Sequence, residues 1–116
     1  MPSEYETLVA ALKLTDIPFQ EYGWKTRPEG VYGIVSLDME SGSLTGDDEK
    51  IDRVYEASVD VFWPKLADRD DIIGTIEEIL RDVCGSSWEL NHSTYEHATG
   101  LFHAEWVCEI QDTQGG

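Results

Sequence analysis

The residue types best suited to chemistry gather late in the chain, where His92, His97, His103 and Cys108 fall within seventeen positions. Imidazole and thiolate are the preferred ligands of zinc, so a metal-dependent enzyme is the first reading to weigh. Structural zinc sites usually show tight pairs such as C-x2-C or H-x3-H, and neither of those two spacings occurs here. Strand alternation would also put His103 on the opposite face from Cys108. The plainer expectation is exposed strand histidines and a buried thiol. A Cys–His nucleophile fares no better: Cys84 falls at the C-terminal end of a predicted helix, where the macrodipole raises a thiol pKa. Asp47-Asp48-Glu49 lacks the D-x-D-x-D-G layout of a calcium loop and reads as a solvated acidic loop. No G-x-G-x-x-G, Walker or G-x-S-x-G motif is present. The sequence therefore predicts no catalytic residue, no metal ligand and no cofactor.

The elements that would position these residues follow from periodicity. Ser3 and Glu6 have capping-box spacing, and Tyr5, Leu8, Val9 and Leu12 follow at helical spacing, which predicts an amphipathic helix over 3–14. Pro18 stops it, and a short extended piece follows over 19–24. Arg27-Pro28-Glu29-Gly30 is a turn signal, and the β-branched and aromatic run 31–39 reads as the first long strand. Residues 40–50, rich in Ser, Gly and Asp, read as a protruding acidic loop. Over 51–63 a period of two places Ile51, Tyr55, Ala57, Val59, Val61 and Trp63 on one face and Asp52, Glu56, Ser58 and Asp60 on the other. After Pro64, Asp68 is the expected N-cap of a helix with the stripe Ile72, Ile73, Ile76, Ile79, Leu80 and Val83, closing at Gly85. Two alternating runs then predict a hairpin: Trp88, Leu90, His92, and Phe102, Ala104, Trp106, Cys108, Ile110. Residues 110–116 are expected to be a flexible tail. The expectation is one α+β domain over 1–116, in the order α-β-β-α-β-β, with about four largely antiparallel strands and two helices on one face.

Charge narrows the partners. The 116 residues carry 24 Asp and Glu against 8 Lys and Arg, a formal net charge of -16. The cations are scattered, so neither a nucleic-acid backbone nor an anionic membrane surface is an expected partner. An apolar fraction of 41%, with 4 Trp, 5 Tyr and 3 Phe, is enough to fill one core. Two cysteines make no disulfide framework and are both read as reduced; with no apolar run long enough to span a bilayer, synthesis in the cytoplasm is expected.

Three segments together carry a family resemblance: L-K-L-T-D-I-P-F-Q-E-Y-G at 12–23, V-Y-G-I-V-S-L at 31–37 and G-D-D-E-K-I-D-R-V-Y-E-A-S-V-D-V-F at 46–62. With Ile76-Glu77-Glu78-Ile79-Leu80 in the following helix, the chain resembles the small tail-completion and tail-terminator proteins of long-tailed bacteriophages over roughly 8–110. It departs from them in starting the strand with Val31-Tyr32-Gly33 instead of a proline-aromatic pair, and in its acidity. The resemblance implies a virion protein without turnover. It would form a homo-oligomeric ring, a hexamer in the virion, at the head-proximal end of the tail, touching the major tail-tube protein and the head connector. It would be made in the host cytoplasm and end in the tail or neck.

On that reading the working parts are a loop, a strand face and a charge. Leu44, the large apolar residue of the acidic loop, is expected to bury against a neighbouring subunit or the tube protein, together with Asp47, Asp48 and Glu49. Asp52, Glu56 and Asp60 are expected to face the lumen, where their field would keep passing DNA from adhering. The rival expectation is an acidic protein-binding module, immunity- or antitoxin-like, that covers a basic partner one to one.

Overall fold

A computed structural model describes residues 3–42 and 53–112. Helix α1 spans Ser3–Lys13 and turns Tyr5, Leu8 and Leu12 inward at the expected spacing. Thr15 closes its end by donating from Oγ1 to the Leu12 carbonyl at 2.7 Å. The chain then forms β1 (Phe19–Glu21), β2 (Tyr32–Gly42), β3 (Arg53–Trp63), a 3-10 turn over Leu66–Asp68, helix α2 (Arg69–Cys84), β4 (Trp88–Glu96) and β5 (Leu101–Asp112).

The sheet has five strands in the order β1-β2-β3-β5-β4, where about four were expected. The additional strand, β1, pairs parallel with β2, so the sheet is mixed. Its basis is a close approach: Phe19 sits opposite Gly33, and the Gly33 amide donates to the Pro18 carbonyl at 2.8 Å. A Cβ at Gly33 would lie 2.3 Å from the Phe19 ring, so only glycine admits the ring there. Positive φ at Tyr22 (65°) and Gly23 (133°) follows the end of the strand, and the Tyr22 amide still donates to the Val35 carbonyl of β2 at 3.0 Å.

Three boundaries differ from expectation. Strand β2 continues to Gly42, pairing Glu40, Ser41 and Gly42 with Tyr55, Val54 and Arg53 after a bulge beyond Leu37, so the expected loop over 40–50 begins later. Strand β5 carries Gln111 and Asp112, paired with Val54 and Arg53, so strand occupies the start of the expected tail. Asp68 precedes α2 but does not cap it: its backbone is helical (φ -85°, ψ -5°) because the 3-10 turn runs straight into the helix, and its side chain makes no capping bond. Gly85, at φ 62°, closes α2 as expected, its amide donating to the Arg81 carbonyl at 3.0 Å.

Both helices cover one face of the sheet. Leu8, Leu12, Ile76 and Leu80 are fully buried against Val35, Val59, Val61, Trp63, Trp106 and Ile110. Each such aliphatic side chain contributes about 1.5–3 kcal/mol by leaving water. The Trp106 indole donates to Glu77 Oε2 at 3.0 Å, tying β5 to α2. No described helix is long and apolar enough to cross a membrane. No described helix lies on the second face of the sheet, and on it the sequence places most of its strand carboxylates.

Candidate functional site

Register fixes what projects from the uncovered face. Tyr32 pairs with Phe62 and Ile34 with Asp60 across β2 and β3, while Asp60 meets Glu105, Phe62 meets His103 and Glu56 meets Glu109 across β3 and β5. Strand β4 adds Glu89 opposite Val107, His92 opposite Glu105 and Glu96 opposite Leu101. Beyond Arg53, which opens β3, no described strand residue is Lys or Arg. Two acid–acid pairs, Glu56 with Glu109 and Asp60 with Glu105, therefore stand directly opposite each other, an arrangement that costs stability.

The second of these pairs is relieved by a histidine. His103 directs Nε2 at Asp60 Oδ1 (2.7 Å) and Nδ1 at Glu96 Oε2 (3.1 Å). A carboxylate on each ring nitrogen is satisfied by the imidazolium, which donates from both. Burial by itself would lower the pKa of His103; the hydrogen bond and charge of Asp60, then those of Glu96, outweigh it and hold the pKa above the ordinary histidine value. The ring is 12% exposed, so the expectation of exposed strand histidines is corrected at this position. Glu105 accepts from Asn91 Nδ2 at 2.7 Å and lies 3.5 Å from His92 Nδ1. Asn91 reaches it because the register of β4 shifts between Leu90 and His92.

An aromatic row runs beside these acids across the sheet. Trp24 meets Tyr32 edge-on (6.5 Å between centroids), Tyr32 stacks on Phe62 (4.9 Å), Phe62 on His103 (4.2 Å), and His103 meets His92 edge-on (5.0 Å). The Trp24 indole donates to the Gly33 carbonyl at 2.9 Å and so folds the segment after β1 over the end of the row. Nearer the bulge of β2, Asp38 accepts from Ser36 Oγ (3.0 Å) and from Ser58 Oγ, which explains why Ser58 is buried on a face expected to be wet.

Of the residues expected to face a lumen, Glu56 is exposed on this face, while Asp60 is only 18% exposed and engaged by His103. Asp52 lies outside the described residues, as do Leu44, Asp47, Asp48 and Glu49. Two further residues complete the cluster: Glu96, which carries no signal in the sequence, and His103, which the sequence offers only as a metal ligand. The alternation that separates His103 from Cys108 also puts it on the side of Asp60, given that β3 and β5 are neighbours. His97 packs against Tyr95 instead, 5.0 Å between centroids. Among the described residues no group of three or more His, Cys, Asp or Glu side chains is arranged to hold a metal ion.

Cys84 and Cys108 are free and buried, and Cys108 Sγ donates to the Ala57 carbonyl at 3.8 Å. The neighbouring Cys84 thiol, then burial, push the Cys108 thiol well above its usual pKa. Where Ser86 and Ser87 pass the end of β5, a cleft of about 280 Å³ is lined by Trp88 and three carboxylates, Glu56, Glu89 and Glu109. The arrangement suits electrostatic contact with a cation or a basic surface. Compared with models of known protein families the chain matches none, and no curated protein matches it.

Proposed function

We propose that the chain is a structural subunit of the head–tail junction of a long-tailed bacteriophage, acting in the manner of a tail-terminator or tail-completion protein. The observation that carries this reading is the uncovered acidic sheet face, which keeps the like-charged pair Glu56 and Glu109 side by side, with Arg53 the one Lys or Arg among the described strand residues. Such repulsion costs stability in an isolated subunit and becomes useful where a surface must repel polyanions. The resemblance adds support, because its segments fall on elements of the fold: 12–23 includes the end of α1 and β1, 31–37 lies on β2, the described part of 46–62 on β3, and 76–80 within α2.

In this role the protein has no turnover, needs no cofactor and acts by shape and charge. Copies would close head to tail into a ring, a hexamer in the virion, with the Glu56 and Asp60 face toward the DNA path. The tail-tube protein and the head connector would bind on either side. Assembly in the host cytoplasm would precede incorporation into the tail or neck. At a net charge of -16 per copy, ring closure should strengthen as salt screens the subunits from one another.

Sedimentation velocity across protein concentration and ionic strength tests the reading. A cyclic oligomer that grows with salt and concentration supports it. A strict monomer under all conditions, saturating one to one with a basic protein, supports instead an immunity- or antitoxin-like binding module, which the same acidic face would also suit.

A further inference from the structure

His103 differs from the other histidines in joining three strands through its ring. It projects from β5, receives Asp60 from β3 at Nε2 and Glu96 from β4 at Nδ1, and is 12% exposed. The Glu96 contact continues into the β4–β5 turn. Its second oxygen, Oε1, accepts from Thr99 Oγ1 at 3.2 Å; Thr99 Oγ1 in turn accepts from the Leu101 amide at 3.3 Å. The Gly100 amide donates to the Glu96 carbonyl at 2.8 Å, and Gly100 holds φ at 72°. Besides the backbone pairing of β5 with β3, the turn is thus tied to β3 through one imidazole.

The titratable groups around that ring are Asp60 from β3, Glu96 and His92 from β4, Glu105 from β5 and, through the stacked Phe62, Tyr32 from β2. All the carboxylates favour the charged ring. A neutral imidazole has one N–H, so one of its two nitrogens would then set a lone pair against a carboxylate oxygen at about hydrogen-bond distance. The Asp60 contact is the shorter (2.7 against 3.1 Å) and its carboxylate the less exposed (18% against 35%), so Glu96 is the partner that lets go.

We propose that His103 is a proton-operated clamp: charged, it holds the β4–β5 turn to β3 through Glu96, and on losing its proton to solvent it releases Glu96 while keeping Asp60. This adds pH control to the edge of the acidic face and does not depend on the assembly reading. Release also removes the positive charge of the His103 ring, leaving that face more negative.

Two readouts test it. Nitrogen-15 shifts of the His103 ring should show both nitrogens protonated at the pH where free histidine is half neutral, about 6.5. Amide exchange at Gly100 and Leu101, corrected for its intrinsic rise with pH, should accelerate about tenfold or more as His103 deprotonates, the loss of one charge-assisted bond. His103→Gln should abolish that pH response. Glu96→Gln, whose amide donates to a neutral ring nitrogen, should keep the turn protected at high pH and covers the case in which His103→Gln fails to fold. A ring that is neutral at pH 6.5, or a turn whose exchange responds to pH equally in the wild type and Glu96→Gln, would overturn the proposal.

Discussion

The parallel edge strand rests on one contact, and Gly33→Ala addresses it. The backbone of Gly33 lies outside the positive-φ region, so alanine meets no conformational barrier; the obstacle is the Phe19 ring, whose Cε1, Cζ and Cδ1 would stand 2.3, 2.5 and 2.6 Å from the new Cβ. Normal carbon–carbon contact begins about an ångström farther out. The ring cannot swing aside cheaply, since Phe19 is 5% exposed and part of the core. Overpacking of this kind costs about 1–3 kcal/mol, and the severity of the overlap argues for the upper end. Replacing glycine in a strand returns roughly 0.5–1 kcal/mol of chain entropy, so the net loss should be about 2 kcal/mol. With a urea slope of about 1–3 kcal/mol/M the midpoint should fall by roughly 1 M at unchanged slope. Phe19→Val removes every ring atom in the overlap, so in that background Gly33→Ala should cost about nothing. A Gly33→Ala variant as stable as the wild type, or one whose cost persists in the Phe19→Val background, would refute the placement of β1 over β2.

Other outcomes follow from single groups. Trp106→Phe should destabilise by about 1–2 kcal/mol more than Trp63→Phe in chemical denaturation, because only Trp106 donates to a described partner, Glu77, while the buried Trp63 indole has none. Burial first, then the hydrogen bond to Glu21 at 2.9 Å, raises the pKa of Tyr5; one of the 5 tyrosines should therefore resist ionisation in a spectroscopic titration that remains folded above pH 10, and Tyr5→Phe should remove that component. Because the folded pKa is the higher, the stability linked to Tyr5 is complete below pH 10 and is lost above it. The same sign holds for His103: its contribution is complete below about pH 6.5 and declines as pH rises through the elevated folded value, and Asp60→Asn should shift that decline to lower pH. A thiol reagent should label Cys84 before Cys108 in the native protein, as Cys84 is 8% exposed and Cys108 2% exposed with its ionisation suppressed.

The longer elements were legible because each carries a period. Ile72, Ile76 and Leu80 mark α2, and Ala57, Val59, Val61 and Trp63 mark the inner face of β3; all are buried. Strand β1 was not legible as a sheet member, since three residues, Phe19–Glu21, carry no period and the partner of Phe19 is a glycine, Gly33, beyond an intervening turn. The strand ends 40–42 and 111–112 were misread because Glu, Ser, Gly, Gln and Asp are poor strand formers; pairing with β3 overrides that preference. The acidic face was half legible: alternation put Glu56 and Asp60 on it, but the partnership of Asp60 with His103 needs strands β3 and β5 to be neighbours across an intervening helix and strand. The expected contact residues Leu44, Asp47, Asp48 and Glu49 fall outside the described residues, so the face and not the loop carries the structural part of the account.

The most direct test is electron microscopy of tail tubes assembled from the tail-tube protein of the same genome, with and without this chain. The account predicts that added protein arrests tube growth and sits as a ring at one end, and that Glu56→Gln with Glu109→Gln leaves the ring in place while making its channel retain DNA. Tubes that elongate unchanged, with the chain absent from their ends, would contradict the proposed role.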